Sequence, residues 1–172
     1  LRACLDRRFT EASAILGIKV PATWAVEEAP LEYRLSQLEA DPSLQPWLLR
    51  AICLRDIGEM VGFIGFHTAP GPGYLAPWLP DAVEFGFAIF ADYRCCGYAT
   101  EASRALMQWA TNQYGVKNYV LTVSPTNAAS RAVAAKLGFT RIGEHIDEVD
   151  GVEEILALIG AHDSPQRMEG SG

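Results

Sequence analysis

At 172 residues, with 49% apolar and 20% charged side chains, the chain has the length and balance of one globular domain that needs neither disulfide nor metal staples. A formal charge of −7 argues against a general affinity for DNA, RNA or anionic lipid, because those polyanions call for an extended basic surface. No apolar run reaches the roughly 18 residues that suggest a membrane span.

The segment from Leu1 to Phe9 has neither an initiator methionine nor the long apolar core of a signal peptide. The expectation is a soluble, cytoplasmic protein whose sequence starts inside a longer chain. Cys4, Cys53, Cys95 and Cys96 form no C-x-x-C pair, and the three histidines are scattered, so no metal site and no disulfide scaffold is expected.

Along residues 2–16, Leu5, Phe9, Ala12 and Leu16 fall on one helical stripe, which predicts a helix broken near Thr10 and stopped by Gly17. The stretch around Trp24 reads as loop, and a second helix runs from Leu31 to Ala40, ending before Asp41-Pro42. Ala51 to Asp56 and Met60 to His67 are strand-like and are joined through Ile57-Gly58-Glu59 as an antiparallel hairpin. The Gly- and Pro-rich stretch from Ala69 to Pro80 is a surface loop carrying Tyr74 and Trp78.

From Val83 to Phe90 the pattern alternates. Val83, Phe85, Phe87 and Ile89 share one face, while Glu84, Gly86 and Ala88 share the other. The second face sets a carboxylate beside two positions with almost no side chain, a recess that can admit a ligand or a closely packed helix. A helix from Tyr98 to Tyr114 follows, with Ala99, Ala102, Leu106, Trp109 and Ala110 on one stripe. Asn118 to Val123 is apolar almost throughout, as in a strand buried on both faces, so strand, helix and strand form a right-handed parallel crossover. Ser124-Pro-Thr-Asn127 supplies helix-start residues for a helix from Ala128 to Leu137 that Gly138 closes. Phe139 to Ile146 and Val152 to Ile159 are strands joined by a tight turn at Asp150-Gly151. The polar stretch 161–172 reads as a flexible tail after a single domain over residues 1–160.

The stretch Arg94-Cys-Cys-Gly97-Tyr-Ala99-Thr100-Glu101 joins a strand to a helix N-terminus, where free backbone N–H groups and the positive end of the helix dipole suit a phosphate. An ordinary strand-to-helix connection, with glycine for sharpness, is the alternative. Asn127 caps a helix or contacts a ligand. Ser130 shares a face with Val133, Ala134 and Leu137 and points inward, either bonded back to its own helix or presented to a site. Cys95 and Cys96 lie where a thiol pKa can fall, yet no histidine base is near them in sequence, and they are taken as passive loop residues. His67, Trp24, Tyr74 and Trp78 are acceptor-pocket candidates that could equally be core edge or loop cover.

Three motifs occur together at compatible spacing: Arg94-x-x-Gly97-x-Ala99, Asn127-x-x-Ser130 and Lys136-Leu-Gly-Phe139. With the order of elements, they make the chain resemble the GNAT N-acetyltransferases, whose acetyl-CoA motif is usually written Q/R-x-x-G-x-G/A. Glu84-Phe-Gly-Phe and Gly97-Tyr-Ala-Thr-Glu-Ala102 resemble most the Rim-type branch, the ribosomal-protein N-acetyltransferases and many small-amine acetylating enzymes.

The resemblance implies an α+β fold: a central, mostly antiparallel sheet with one parallel strand-helix-strand crossover and flanking helices. It implies that the backbone of Cys95, Cys96, Gly97, Tyr98, Ala99 and Thr100 cradles the pyrophosphate of acetyl-CoA, with Arg94 adding charge. Main-chain groups of Phe87, Ala88, Ile89 and Phe90 would bind the pantetheine arm in a gap between splayed strands, assisted by Asn127 and Ser130. The catalytic candidates are Glu84 as base, directly or through water and with a pKa raised if it is buried, and Ser130 as acid, since Ala134 stands where many members carry a tyrosine. Glu84 could equally be a glutamate held in an ion pair or facing solvent on an edge strand. The implied partners are acetyl-CoA and an amine acceptor, either a small molecule or a peptide N-terminus, and a homodimer is left open. A non-catalytic acyl-CoA sensor or interaction module is the competing reading. A dinucleotide- or nucleotide-binding enzyme is disfavoured because neither G-x-G-x-x-G nor G-x-x-x-x-G-K-S/T occurs.

Overall fold

The computed structural model describes residues 1–25, 31–147 and 151–160. Among the described residues, five α-helices flank a six-stranded sheet: α1 (Arg2–Leu5), α2 (Phe9–Leu16), α3 (Leu31–Ala40), α4 (Tyr98–Tyr114) and α5 (Ala128–Leu137). The strands are β1 (Arg50–Leu54), β2 (Glu59–Phe66), β3 (Val83–Ile89), β4 (Tyr119–Val123), β5 (Thr140–Asp147) and β6 (Gly151–Leu158), in the spatial order β1-β2-β3-β4-β6-β5. Among the named strands only β3 and β4 run parallel, through the crossover helix α4; every other strand pairing is antiparallel.

The alternation read from the sequence sorts the strands between two faces. Val83, Phe85, Tyr119, Leu121 and Val123 pack with Leu106, Met107 and Ala110 of α4 and Ala134 of α5 in the largest core cluster. On the opposite face Val120 packs with Ile155, Ala157 and Leu75, so β4 is covered on both sides. A third cluster seats Ala3, Cys4, Ala12, Trp24 and Leu31 against Met60 and Phe63 of β2.

The N-terminal break falls earlier than the predicted position near Thr10. Arg7 takes a left-handed φ of 57°, and the Arg8 amide donates back to the Ala3 carbonyl. The exposed Arg8 side chain pairs with both Asp6 and Glu11 across the bend. Gly17 does stop α2 in the left-handed conformation, at φ 68°. The Trp24 segment is a 3₁₀ turn rather than irregular loop, and the 69–80 loop contains another over Gly73–Leu75 whose Leu75 is buried. Strands β5 and β6 pair as expected, but the predicted turn residue Asp150 and the predicted flexible tail 161–172 lie outside the described residues. Among the described residues, no helix is long and apolar enough to cross a membrane.

Tyr119 ties the crossover together from inside. Its fully buried hydroxyl lies 2.7 Å from both the Met107 carbonyl oxygen of α4 and the Thr111 hydroxyl. Tyr119→Phe leaves these groups without their buried partner, and the expected loss is about 1–2 kcal/mol of folding free energy. Urea unfolding monitored by tryptophan fluorescence measures it.

Candidate active site

The parallel ladder between β3 and β4 is two residue pairs long, Val83 with Tyr119 and Glu84 with Val120. Beyond Glu84 the strands part while β3 continues to Ile89, so its β4-facing main-chain groups have no strand partner there. Two cavities border this seam.

The first, of about 510 Å³, is lined by Phe87, Ala88 and Ile89 of β3 and by the whole stretch from Tyr93 to Thr100. Its other wall is α5, through Asn127, Ser130, Val133 and Lys136 among others. The connecting loop is held in shape by backbone geometry: Cys95 and Gly97 both have positive φ, 62° and 86°. The left-handed value is strained for Cys95 and natural for Gly97. The amides of residues 95–100 donate to no backbone carbonyl among the described residues; the first such bond runs from the Glu101 amide to the Gly97 carbonyl. A ring of free N–H groups at the start of a 17-residue helix is an anion seat. Arg94 lines the same cavity, and its Nε donates to the Ile89 carbonyl at 2.9 Å, tying the loop to the end of β3. Cys95 and Cys96 are exposed, and the Cys96 thiol lies 3.4 Å from the Arg94 carbonyl oxygen.

Of the residues expected around the cosubstrate, all line this cavity except Phe90. Its ring packs in the N-terminal cluster and its amide donates to the Val61 carbonyl. The Asn127 side-chain oxygen accepts the Ser130 amide at 3.0 Å, so the capping reading of Asn127 describes its geometry. Ser130 is half-buried on the cavity wall. Ala134 is buried in the core, which leaves no room for a tyrosine there.

The second cavity, of about 690 Å³, lies on the other side of the seam, lined by Glu84, His67, Thr122, Tyr74, Trp78, Arg34 and their neighbours. His67, Tyr74 and Trp78 line this cavity. Trp24 takes the core alternative: it is 5% exposed and packs with Phe63. The recess beside Glu84 is divided. A Cβ on Gly86 would lie 3.0 Å from His67 Nε2, so glycine there makes room for the imidazole, while Ala88 belongs to the first cavity.

Glu84 is 6% exposed and faces His67 Nδ1 at 3.4 Å. The expectation that burial would raise its pKa is overturned. Burial does push the carboxyl upward, but hydrogen bonding from His67, the charge of a protonated His67, and hydrogen bonding from Thr122 and Tyr74 together outweigh it. The net position is below the usual glutamate range, so the site holds a buried carboxylate anion. The reciprocal effect raises Tyr74, through burial first and then the Glu84 charge.

Arg34, which the sequence reading passed over, is the other charged group in this cavity. It is 7% exposed, and its Nη1 donates to Gln37 Oε1 at 2.7 Å and to the His67 carbonyl at 2.9 Å. The available signal was an arginine on the apolar stripe of α3, between Leu31, Leu35 and Leu38 at helical spacing.

A family model described as an acetyltransferase (GNAT) domain matches residues 4–140. An FsC-acetyl coenzyme A-N(2)-transacetylase of Aspergillus fumigatus is 29% identical over 101 residues, 56% of this chain and 43% of the relative. The chain spans about half the length of the curated relatives it matches. The fold resembles the crystal structure of a ribosomal-protein-S5-alanine acetyltransferase from Vibrio fischeri (TM-score 0.58, 15% identity, 83% of this chain and 73% of that one). It is similar also to a spermidine N-acetyltransferase chimera from Vibrio cholerae (TM-score 0.58, 12% identity, 76% and 78% covered).

Because the Glu84 pKa is lower in the folded than in the unfolded chain, its ionised form stabilises the fold above the unfolded value, and that contribution disappears as pH falls through the folded one. Wild-type protein should therefore lose more stability than Glu84→Gln between about pH 6 and pH 3. Denaturant melts of both proteins across that range give the comparison.

Proposed function

The chain belongs to the GNAT acetyltransferase family, and from that premise we propose that it is an acetyl-CoA-dependent N-acetyltransferase, with residues 1–160 as its one catalytic domain. The acetyl group passes directly to a primary amine. The observation that carries this reading is the cavity between β3, the 93–100 loop and α5, where unpaired amides and a strand with unpaired main-chain groups face one elongated space. Helix-start amides suit a pyrophosphate, and an exposed strand edge suits the amides of a pantetheine arm. The Rim-type likeness of Glu84-Phe-Gly-Phe and Gly97 to Ala102 supports placing the chain beside that branch.

Acetyl-CoA supplies an activated acyl group: a C–N bond forms to its carbonyl carbon as the C–S bond breaks. The attacking amine must first lose an ammonium proton, and the departing sulfur must gain one. The neutral imidazole of His67 takes the first proton, with Glu84 facing its Nδ1 side and balancing the charge that forms. The lowered carboxyl position belongs to the state reached after that transfer, when the imidazolium charge and its hydrogen bond hold Glu84 ionised. Ser130, on the wall of the cosubstrate cavity, hydrogen-bonds the departing sulfur and relays a water proton to it, so that its own hydroxyl is restored.

Thiol release from acetyl-CoA with a panel of primary amines tests the assignment. Glu84→Gln should lower turnover by about a hundredfold or more and Ser130→Ala by about tenfold. Unchanged rates in both variants would remove these two residues from the mechanism. Tight acetyl-CoA binding with no amine acetylated would favour the sensor reading.

Direct transfer needs no acyl-enzyme, so Cys95→Ser combined with Cys96→Ser should keep turnover within about twofold of wild type. A variant that still binds acetyl-CoA but no longer turns over would give the thiols a chemical role.

A further inference from the structure

We propose that the acceptor is a small zwitterionic amine, one molecule carrying an ammonium and a carboxylate, with Arg34 binding its carboxylate while Glu84 faces its ammonium. The inference rests on the acetyl-transfer reading and names the substrate class of that same site.

Arg34 is buried without a carboxylate partner. The two acceptors of its Nη1, the Gln37 side-chain oxygen and the His67 carbonyl, are neutral, and among the described residues the other guanidinium N–H groups have no hydrogen-bond partner. The Tyr33 ring lies 5.3 Å from its centre, and no ion pair joins it to Glu84. The remaining guanidinium N–H groups are not buried but open to the cavity, where an anion can take the place of water, and the only opposing carboxylate charge that acts on the guanidinium from the lining is that of Glu84. Its planar fork matches a carboxylate.

Glu84 supplies the opposite charge in the same cavity, and Leu75, Trp78 and Ile155 add apolar wall for a side chain between the two ends. Glu153, the other acidic residue of the lining, faces His145 at 3.8 Å. A polyamine would bring a second cation toward a buried guanidinium and is selected against. A peptide N-terminus carries no carboxylate of its own close to the amine. Acetylation of a zwitterion removes the ammonium charge and releases an N-acetylated acid that keeps the carboxylate.

The test compares each standard amino acid with its own amide, which removes only the negative charge, together with β-alanine, 4-aminobutyrate and spermidine, as acceptors for wild type and Arg34→Gln. For the best acceptor, kcat/KM should favour the free acid over its amide by about tenfold or more, and the ratio should collapse toward one in Arg34→Gln. Equal rates on acid and amide, or a preference for the amide or spermidine, would overturn the proposal while leaving acetyl transfer intact. If wild type binds acetyl-CoA and acetylates nothing, the functional reading fails. Calorimetric titration of the same acids and amides into the protein with CoA then decides this inference by itself: tighter binding of an acid supports it, and no difference ends it.

Discussion

The two-pair ladder between β3 and β4 is the constraint from which the rest of the site follows. A continuous parallel pairing would have closed the sheet and satisfied every main-chain group of β3. Here the core beneath stays unbroken, since Phe66, Val83 and Phe85 on one side and Tyr119, Leu121 and Val123 on the other share one cluster with α4. The strands are thus held together by packing where their hydrogen bonds end. Main-chain groups left open in this way need partners from water or a ligand, and both cavities draw their walls from the opened region.

At Glu84 two opposing effects act on one carboxyl. Desolvation alone would favour the neutral acid, and a glutamate in a purely apolar recess would be protonated far more readily. Three polar neighbours from three different segments decide otherwise: His67 at the end of β2, Tyr74 in the 69–80 loop and Thr122 in β4. The anion is a product of tertiary assembly, since none of these residues is near Glu84 in sequence except through the hairpin register that brings His67 alongside. That register also explains Gly86, whose missing side chain is the space the imidazole occupies.

Much of this architecture was legible because it is written in local chemistry. Helix α4 begins after Gly97 and ends before Gly115, and α5 begins at an Asn cap and ends at Gly138, so periodicity and stop signals coincide. The motif residues that line the first cavity were legible as a group for the same reason, being clustered on one loop and one helix turn. Three features were not. The break between α1 and α2 falls at a left-handed Arg7, a backbone conformation that no propensity of arginine encodes. Trp24 reads from sequence as a loop residue that could be pocket wall, core edge or loop cover, and only its packing against Phe63 selects the core. Arg34 lies on the apolar stripe of α3, but its partner is not visible until α3 is docked against the sheet, when it turns out to be the His67 carbonyl, more than thirty residues on.

The bond from Arg94 to the Ile89 carbonyl has a thermodynamic consequence for ligand capture. A glycine loop that had to organise itself around a pyrophosphate would surrender conformational freedom at the moment of encounter, at a cost of roughly 0.5–1.5 kcal/mol for each side chain ordered. With the strand end and the loop already braced to each other, that entropy was given up during folding. Association should then resemble docking to a rigid receptor, its rate governed by diffusion and orientation rather than by the time a loop needs to find its shape.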